Sequence, residues 1–375
     1  MLRSLFSSLV LLVLLVPGIS SAQTLHQDFK ERVPAEVLEI VNERDREIAG
    51  TGATTTVQEV RAFIESGERT GEVVRFEVEV VKVYPGDNIF VDRTVTISGE
   101  EYITYADYER RPTLLAVAVL FFAMLLVFSG WQGVRAMVSL AGSIGAILFL
   151  LVPALLAGYD PVLSSVVIAG AILACVLFGT HGVYPRTIIA FVGTFSAVCV
   201  TGIIATISVS VMRLSGFSSD ASVYLNFATN GSLDLAGLLL GGIIIGILGV
   251  LDDVSITQAS VVQELKAANP KLGSLELYKR SIKVGKDHIG SLVNTLALAY
   301  VAVSLPLILL YAQTDASIWQ TLNQEVVAAE ILRIVVGSIG LILAVPLTTL
   351  AASKYWGNRE VDESMDAGYH HHHHH

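Results

Sequence analysis

Hydrophobicity changes its period once along the chain, and the change divides it into two regions. From Thr54 to Tyr108 the period is two. Val74, Phe76, Val78 and Val80 alternate with charged or polar residues along 72–82, the rhythm of a half-buried strand. Pro85-Gly86-Asp87-Asn88 then makes a turn, and Ile89 to Ile97 resumes the alternation. Val57 to Ile64 and Tyr102 to Tyr105 supply two further strands, and Val33 to Glu43 reads as either a strand or a helix. These elements predict a small all-β domain of the OB/SH3-like barrel type over 24–112. Beyond residue 113 the alternation gives way to long runs without charge. They cover 114–134, 136–159, 161–180, 187–212, 235–251, 289–314 and 334–353. A bilayer core takes about 20 apolar residues per helix, so the runs predict an α-helical polytopic membrane domain of about seven spans over 113–353. The tight joints between the first three predict adjacent hairpins.

Composition agrees with this division. Hydrophobic residues make up 53% of the chain and charged residues only 15%, well below the roughly 25% of a soluble domain. The net charge of −10 sits mainly in the β-rich region and the C-terminal tail, which excludes a nucleic-acid partner. Arg3, the apolar stretch Leu5 to Leu15 and the small residues Ser20-Ser21-Ala22 read as a secretory signal over 1–22, with an uncleaved first helix as the alternative. The head is then extracytoplasmic. The tail 354–375 is cytoplasmic and ends in a purification tag, His370 to His375. The positive-inside rule gives the same orientation independently. Lys266, Lys271, Lys279, Arg280, Lys283 and Lys286 cluster between two spans, whereas 210–234 and 315–328 hold one Arg and no Lys. A bacterial inner membrane is the expected location. Cys175 and Cys199 fall in apolar runs and act as small hydrophobes.

Candidate chemistry concentrates in one segment. Gly237, Gly241, Gly242, Gly246 and Gly249 form small-xxx-small spacings that let a neighbouring helix approach closely. No proline follows until Pro270, so the helix is expected to continue past the membrane edge. There Asp253, Thr257, Ser260 and Glu264 fall on one polar stripe, with Asp252 about 100° away. The next span opens with a similar stripe, Lys283, Asp287, Ser291 and Asn294, flanked by His288 and Thr295. Carboxylate, hydroxyl and amide oxygens suit a hard cation or a relayed proton, and ionisable groups at a membrane edge usually carry function. The expected site therefore joins the two stripes, with Asp253 and Asp287 as the candidate cation ligands. A structural role also fits these residues: Asp252 and Asp253 can pair with Arg280, Lys283 or Lys286, and Asp287 and His288 can cap a helix N-terminus. His181 reads as an interface residue. Ser139, Ser143, Thr194 and Ser196 read as interhelical hydrogen-bonding groups. Pro153, Pro306 and Pro346 are expected to bend their spans, with Thr348 and Thr349 serving the freed carbonyls.

The stretch Gly249-Val250-Leu251-Asp252-Asp253-Val254-Ser255-Ile256-Thr257-Gln258-Ala259 resembles the signature of the YibE/F-like family of bacterial membrane proteins. Lys286-Asp287-His288-Ile289-Gly290 with Val293-Asn294-Thr295-Leu296 is similar to its second motif. Asp107-Tyr108 and the run from Gly340 to Pro346 also fit, so the likeness spans roughly 55–353. The resemblance implies an extracytoplasmic β-rich head on multiple spans and adds weight to Asp252, Asp253 and Asp287; Gln258, inside the first motif, completes the candidate ion-binding set. It implies no substrate. No nucleotide-binding, zinc or protease motif accompanies these residues. The functional expectation is therefore a non-enzymatic transporter or channel for a small cation or cation-coupled solute. It needs no cofactor beyond a bound monovalent or divalent cation, its partners are the lipid bilayer and the solute, and a homo-oligomer is expected. The alternative is a non-transporting assembly or sensory protein acting through its head.

Overall fold

A computed structural model describes residues 29–359 apart from 49, 51, 80 and 97. The signal segment and the tagged tail lie outside the described residues. The chain forms two compact units, divided at Val127/Phe128.

The first unit holds five antiparallel strands: β1 (Phe29–Glu47), β2 (Thr54–Ile64), β3 (Val73–Glu79), β4 (Asn88–Val95) and β5 (Glu101–Tyr108). Their order is β3-β2-β1-β4-β5. The ambiguous segment Val33 to Glu43 is thus a strand, and β1 is the longest of the five, pairing with β2 on one side and β4 on the other. Register shifts at Val37/Glu39 and Ile40/Asn42 bend it, as bulges do. The sheet curls into a half-barrel over Val37, Val60, Ile64, Phe76, Val78, Ile89 and Val91. In β3 burial alternates at every residue, as the period of two requires. One polar contact fixes the register of β1 on β4. Asp92 is buried, stands opposite Arg32, and accepts its Nε at 2.7 Å and Nη2 at 3.0 Å, with Lys30 Nζ at 3.0 Å. The Arg32 guanidinium holds the Asp92 carboxyl below the usual carboxylate range.

Only Glu109 and Arg110 separate β5 from the first helix, α1 (Arg111–Ala146). The Glu109 amide donates to Asn88 C=O at 2.9 Å, and its carboxylate accepts the Arg111 backbone amide at 2.9 Å as well as the guanidinium. The same guanidinium lies 4.8 Å from the centre of the Phe90 ring.

The helices that follow α1 are α2 (Val152–Leu156), α3 (Pro161–His181), α4 (Pro185–Met212), α5 (Asp220–Ala228), α6 (Leu235–Ala268), α7 (Ser274–Val303), α8 (Leu305–Ala312), α9 (Ile318–Leu322) and α10 (Glu325–Gly357). A π-helical turn, Ile147–Leu151, links α1 to α2. Among the described residues, five helical stretches are long and apolar enough to cross a membrane, or six if α7 and α8 make one bent span. The first covers Arg111–Leu156 and differs from the expected hairpin of two spans. Arg135 lies within the helix, and the break falls instead at Gly130, whose φ of 52° and ψ of −133° an L side chain rarely adopts. Of the three expected proline bends, Pro306 sits at the 63° break between α7 and α8, Pro153 follows the π turn, and Pro346 lies inside the continuous α10.

In the second unit α6 and α10 are central. α10 packs on α4, α6 and α7, and α6 also packs on α3 and α4. Small residues set these distances. A side chain at Gly193 would overlap the Thr348 hydroxyl and lie 2.8 Å from Thr348 Cα. Gly241 packs on Ser165, Gly246 on the Tyr300 hydroxyl and Gly237 on its N-cap Asp234. Gly242 and Gly249 instead face open space. The helix ends before Pro270, as expected; Asn269 is its C-cap.

Two stability outcomes follow from these contacts. Asp92→Asn should lower head stability by about 1–2 kcal/mol at neutral pH. The folded carboxyl titrates below its unfolded value of about 4, so the wild-type advantage is complete above that value and disappears as pH falls through the folded one. Thermal unfolding of the intact protein in detergent, read at the β-sheet amide-I band from pH 7 to pH 2, checks both the loss and its sign. Gly193→Ala should cost about 1–3 kcal/mol through overpacking, whereas Gly242→Ala should be neutral or stabilise by up to about 1 kcal/mol through helix propensity. Equal effects in the two variants would contradict the packing described.

Candidate functional site

The α7 stripe of the expected site is exposed. On α7 the face packed inward carries Leu277, Ser281, Gly285 and Leu296, while Lys283, Lys286, Asp287, His288, Ser291, Asn294 and Thr295 are exposed. Ser281 and Gly285 each stand two residues, about 200°, from Lys283 and Asp287, so burying the small face turns the polar one outward. Among the described residues, no hydrogen bond or ion pair links Asp253 or Thr257 to Asp287, Ser291 or Asn294. No group of three or more His, Cys, Asp or Glu among the described residues is placed to hold a metal ion. Nor do Asp252 and Asp253 form ion pairs with Arg280, Lys283 or Lys286; Arg280 pairs with Glu276 at 2.8 Å. Asp287 and His288 lie in the middle of α7 and cap nothing.

What joins α6 to α7 and α10 is Gln258. Its side chain is buried, and its Nε2 donates to Ser281 C=O at 2.9 Å and to Thr349 Oγ1 at 2.8 Å. Thr349 donates in turn to Val345 C=O at 2.6 Å. Thr348 is buried without a hydrogen-bond partner. Thr257 and Glu264 remain exposed.

Asp252 and Asp253 turn the other way and line a cavity of about 380 Å³ between the second half of α1, α3 and α6. Its polar lining consists of Ser139, Ser143, Thr180, His181, Asp252 and Asp253, set in walls of Leu, Ile and Val. Ser139 Oγ and Thr180 Oγ1 lie 3.1 Å apart, so Ser139 makes the interhelical contact expected of it. Ser143 donates to Ser139 C=O, and Thr194 and Ser196 bond only to carbonyls of their own helix. Asp252 Oδ1 accepts the Asp253 amide at 2.9 Å. Ile147, the first residue of the π turn, borders the same cavity; such turns widen a helix where a site is built. Gly249, one turn before Asp253, leaves the space beside the carboxylates open.

His181 is the residue sequence reading undervalued. It ends α3 and lines the same cavity as both carboxylates. Thr180-His181 closing an apolar span, and Ser139 and Ser143 one turn apart in another, were the available signals. Nothing in the spacing showed that they converge on Asp252.

The long apolar helices are those of a membrane protein by length and composition. A family model described as YibE/F-like protein matches residues 117–358, and the chain belongs to that family. The match begins inside α1, so the β-rich head lies outside it, although the resemblance read from the sequence takes in residues from about 55. No curated protein and no solved structure matches the chain.

Proposed function

We propose that the chain is a non-enzymatic transporter or channel for a small cation or a proton-coupled solute, with its site at Asp252, Asp253 and His181. The observation that supports this most is the cavity itself. Two adjacent carboxylates and an imidazole share an otherwise apolar recess with three hydroxyls. Charged groups between membrane helices are costly, and they mark ion pathways and proton relays. Carboxylate and hydroxyl oxygens suit a hard cation, and an imidazole beside a carboxylate can hold or pass a proton near neutral pH. In this reading the head is extracytoplasmic, the basic α6–α7 connection faces the cytoplasm of a bacterial inner membrane, and the break at Gly130 separates two crossings. The Arg111–Leu156 stretch would be about 69 Å long if straight, more than twice the roughly 30 Å hydrocarbon core.

The test is flux in liposomes reconstituted with purified protein, using a panel of cations and a pH probe. Asp252→Asn and Asp253→Asn should each abolish flux, and Gly249→Leu should block it by filling the cavity, with all three proteins remaining monodisperse. Asp287→Asn should transport normally. Loss of flux in Asp287→Asn alone would move the site to α7. Absence of flux for every ion with native protein would favour an assembly or sensory role exercised through the head.

A further inference from the structure

Among the described residues of the second unit, one face of α7 has no partner, and it carries Asn294 within an apolar stretch. Lys283, Asp287, Gly290, Asn294, Ala297 and Val301 follow alternating spacings of four and three and so lie along one face of the helix. All are exposed except Ala297, which is half-buried. From Ile289 to Thr314 the sequence carries no charge, so Asn294 sits within an apolar stretch, yet among the described residues its side-chain amide has no hydrogen bond. An amide in hydrocarbon seeks another hydrogen-bonding group, and such groups drive helix association in membranes. Gly290, one turn before Asn294, has nothing within 4 Å of the point where a Cβ would stand, which leaves room for a second backbone to approach.

We infer that this face is the contact between two copies of the chain, with their α7 helices parallel and related by a two-fold axis along the membrane normal. The chemistry is self-complementary. A side-chain amide both donates and accepts, so Asn294 of one copy satisfies Asn294 of the other, as a polar seam residue does when it fixes register and pairs two strands. Asp287 lies one turn from Lys283 on the same face, so in the parallel pair each carboxylate reaches the ammonium group of the opposite copy diagonally, which offsets the like charges that face each other directly. The parallel arrangement follows from both copies having one orientation in the membrane. The inference does not depend on what the Asp252 cavity carries. It gives Asp287 and Asn294 a role in assembly instead of ion binding.

Single-cysteine crosslinking in native membranes tests it. With Cys175 and Cys199 replaced by Ala, Asn294→Cys and Ala297→Cys should each yield a covalent dimer on mild oxidation. Thr295→Cys and Ala299→Cys, off the seam, should yield none. Light scattering of the otherwise native protein in mild detergent keeps the test decisive if a cysteine variant fails to fold: the native chain should have twice the monomer mass, and Asn294→Leu should lose it. A monomeric native protein, crosslinking without the three–four period, or a face covered by the chain's own first helix so that no intermolecular bond forms, would overturn the inference.

Discussion

The Gln258 side chain sits where α6, α7 and α10 cross, and its two donated hydrogen bonds fix the rotation of all three helices. Gln258 is buried away from water, so its amide must be met from within the protein. Once Gln258 faces Ser281 and Thr349, the rest of α6 has no freedom to turn. Asp252 and Asp253, six and five residues earlier, must point toward α1 and α3. The same contact presses the Ser281–Gly285 face of α7 inward and sends its charged and amide-bearing face outward. The cavity and the exposed face of α7 thus lie on the sides of α6 and α7 that this buried amide leaves uncovered.

Close packing complements that bond. α10 approaches α4 so nearly that Gly193 leaves no space for a side chain above Thr348, and Gly246 leaves Tyr300 its place against α6. Two glycines of the same run, Gly242 and Gly249, meet no neighbour. The run therefore divides its work: some positions bring helices together, and others keep space empty. Gly249 keeps that space beside the carboxylates.

The head was legible because a strand needs only a period of two and a turn needs only its own residues. Val74, Phe76 and Val78 point inward as their alternation requires, and Pro85-Gly86 turns the chain. The end of α6 before Pro270 was legible for the same local reason. The pairing of helix faces was not. α6 and α7 each carry a polar stripe and a small-residue face, and periodicity alone cannot say which of the two a neighbour will cover. The sequence pointed to the stripes because they are the more conspicuous; packing chose Gln258, Ser281 and Gly285. The first break was misplaced for a related reason, since Arg135 looks like a loop residue and Gly130 does not.

The junction between β5 and α1 carries a mechanical consequence. Two residues connect them, and Glu109 ties the Asn88 carbonyl, the Arg111 amide and the Arg111 guanidinium into one knot against Phe90. A joint of this kind has no slack to absorb a twist. With only two residues between them, rotation of the sheet is passed directly to the first turns of the helix that follows it.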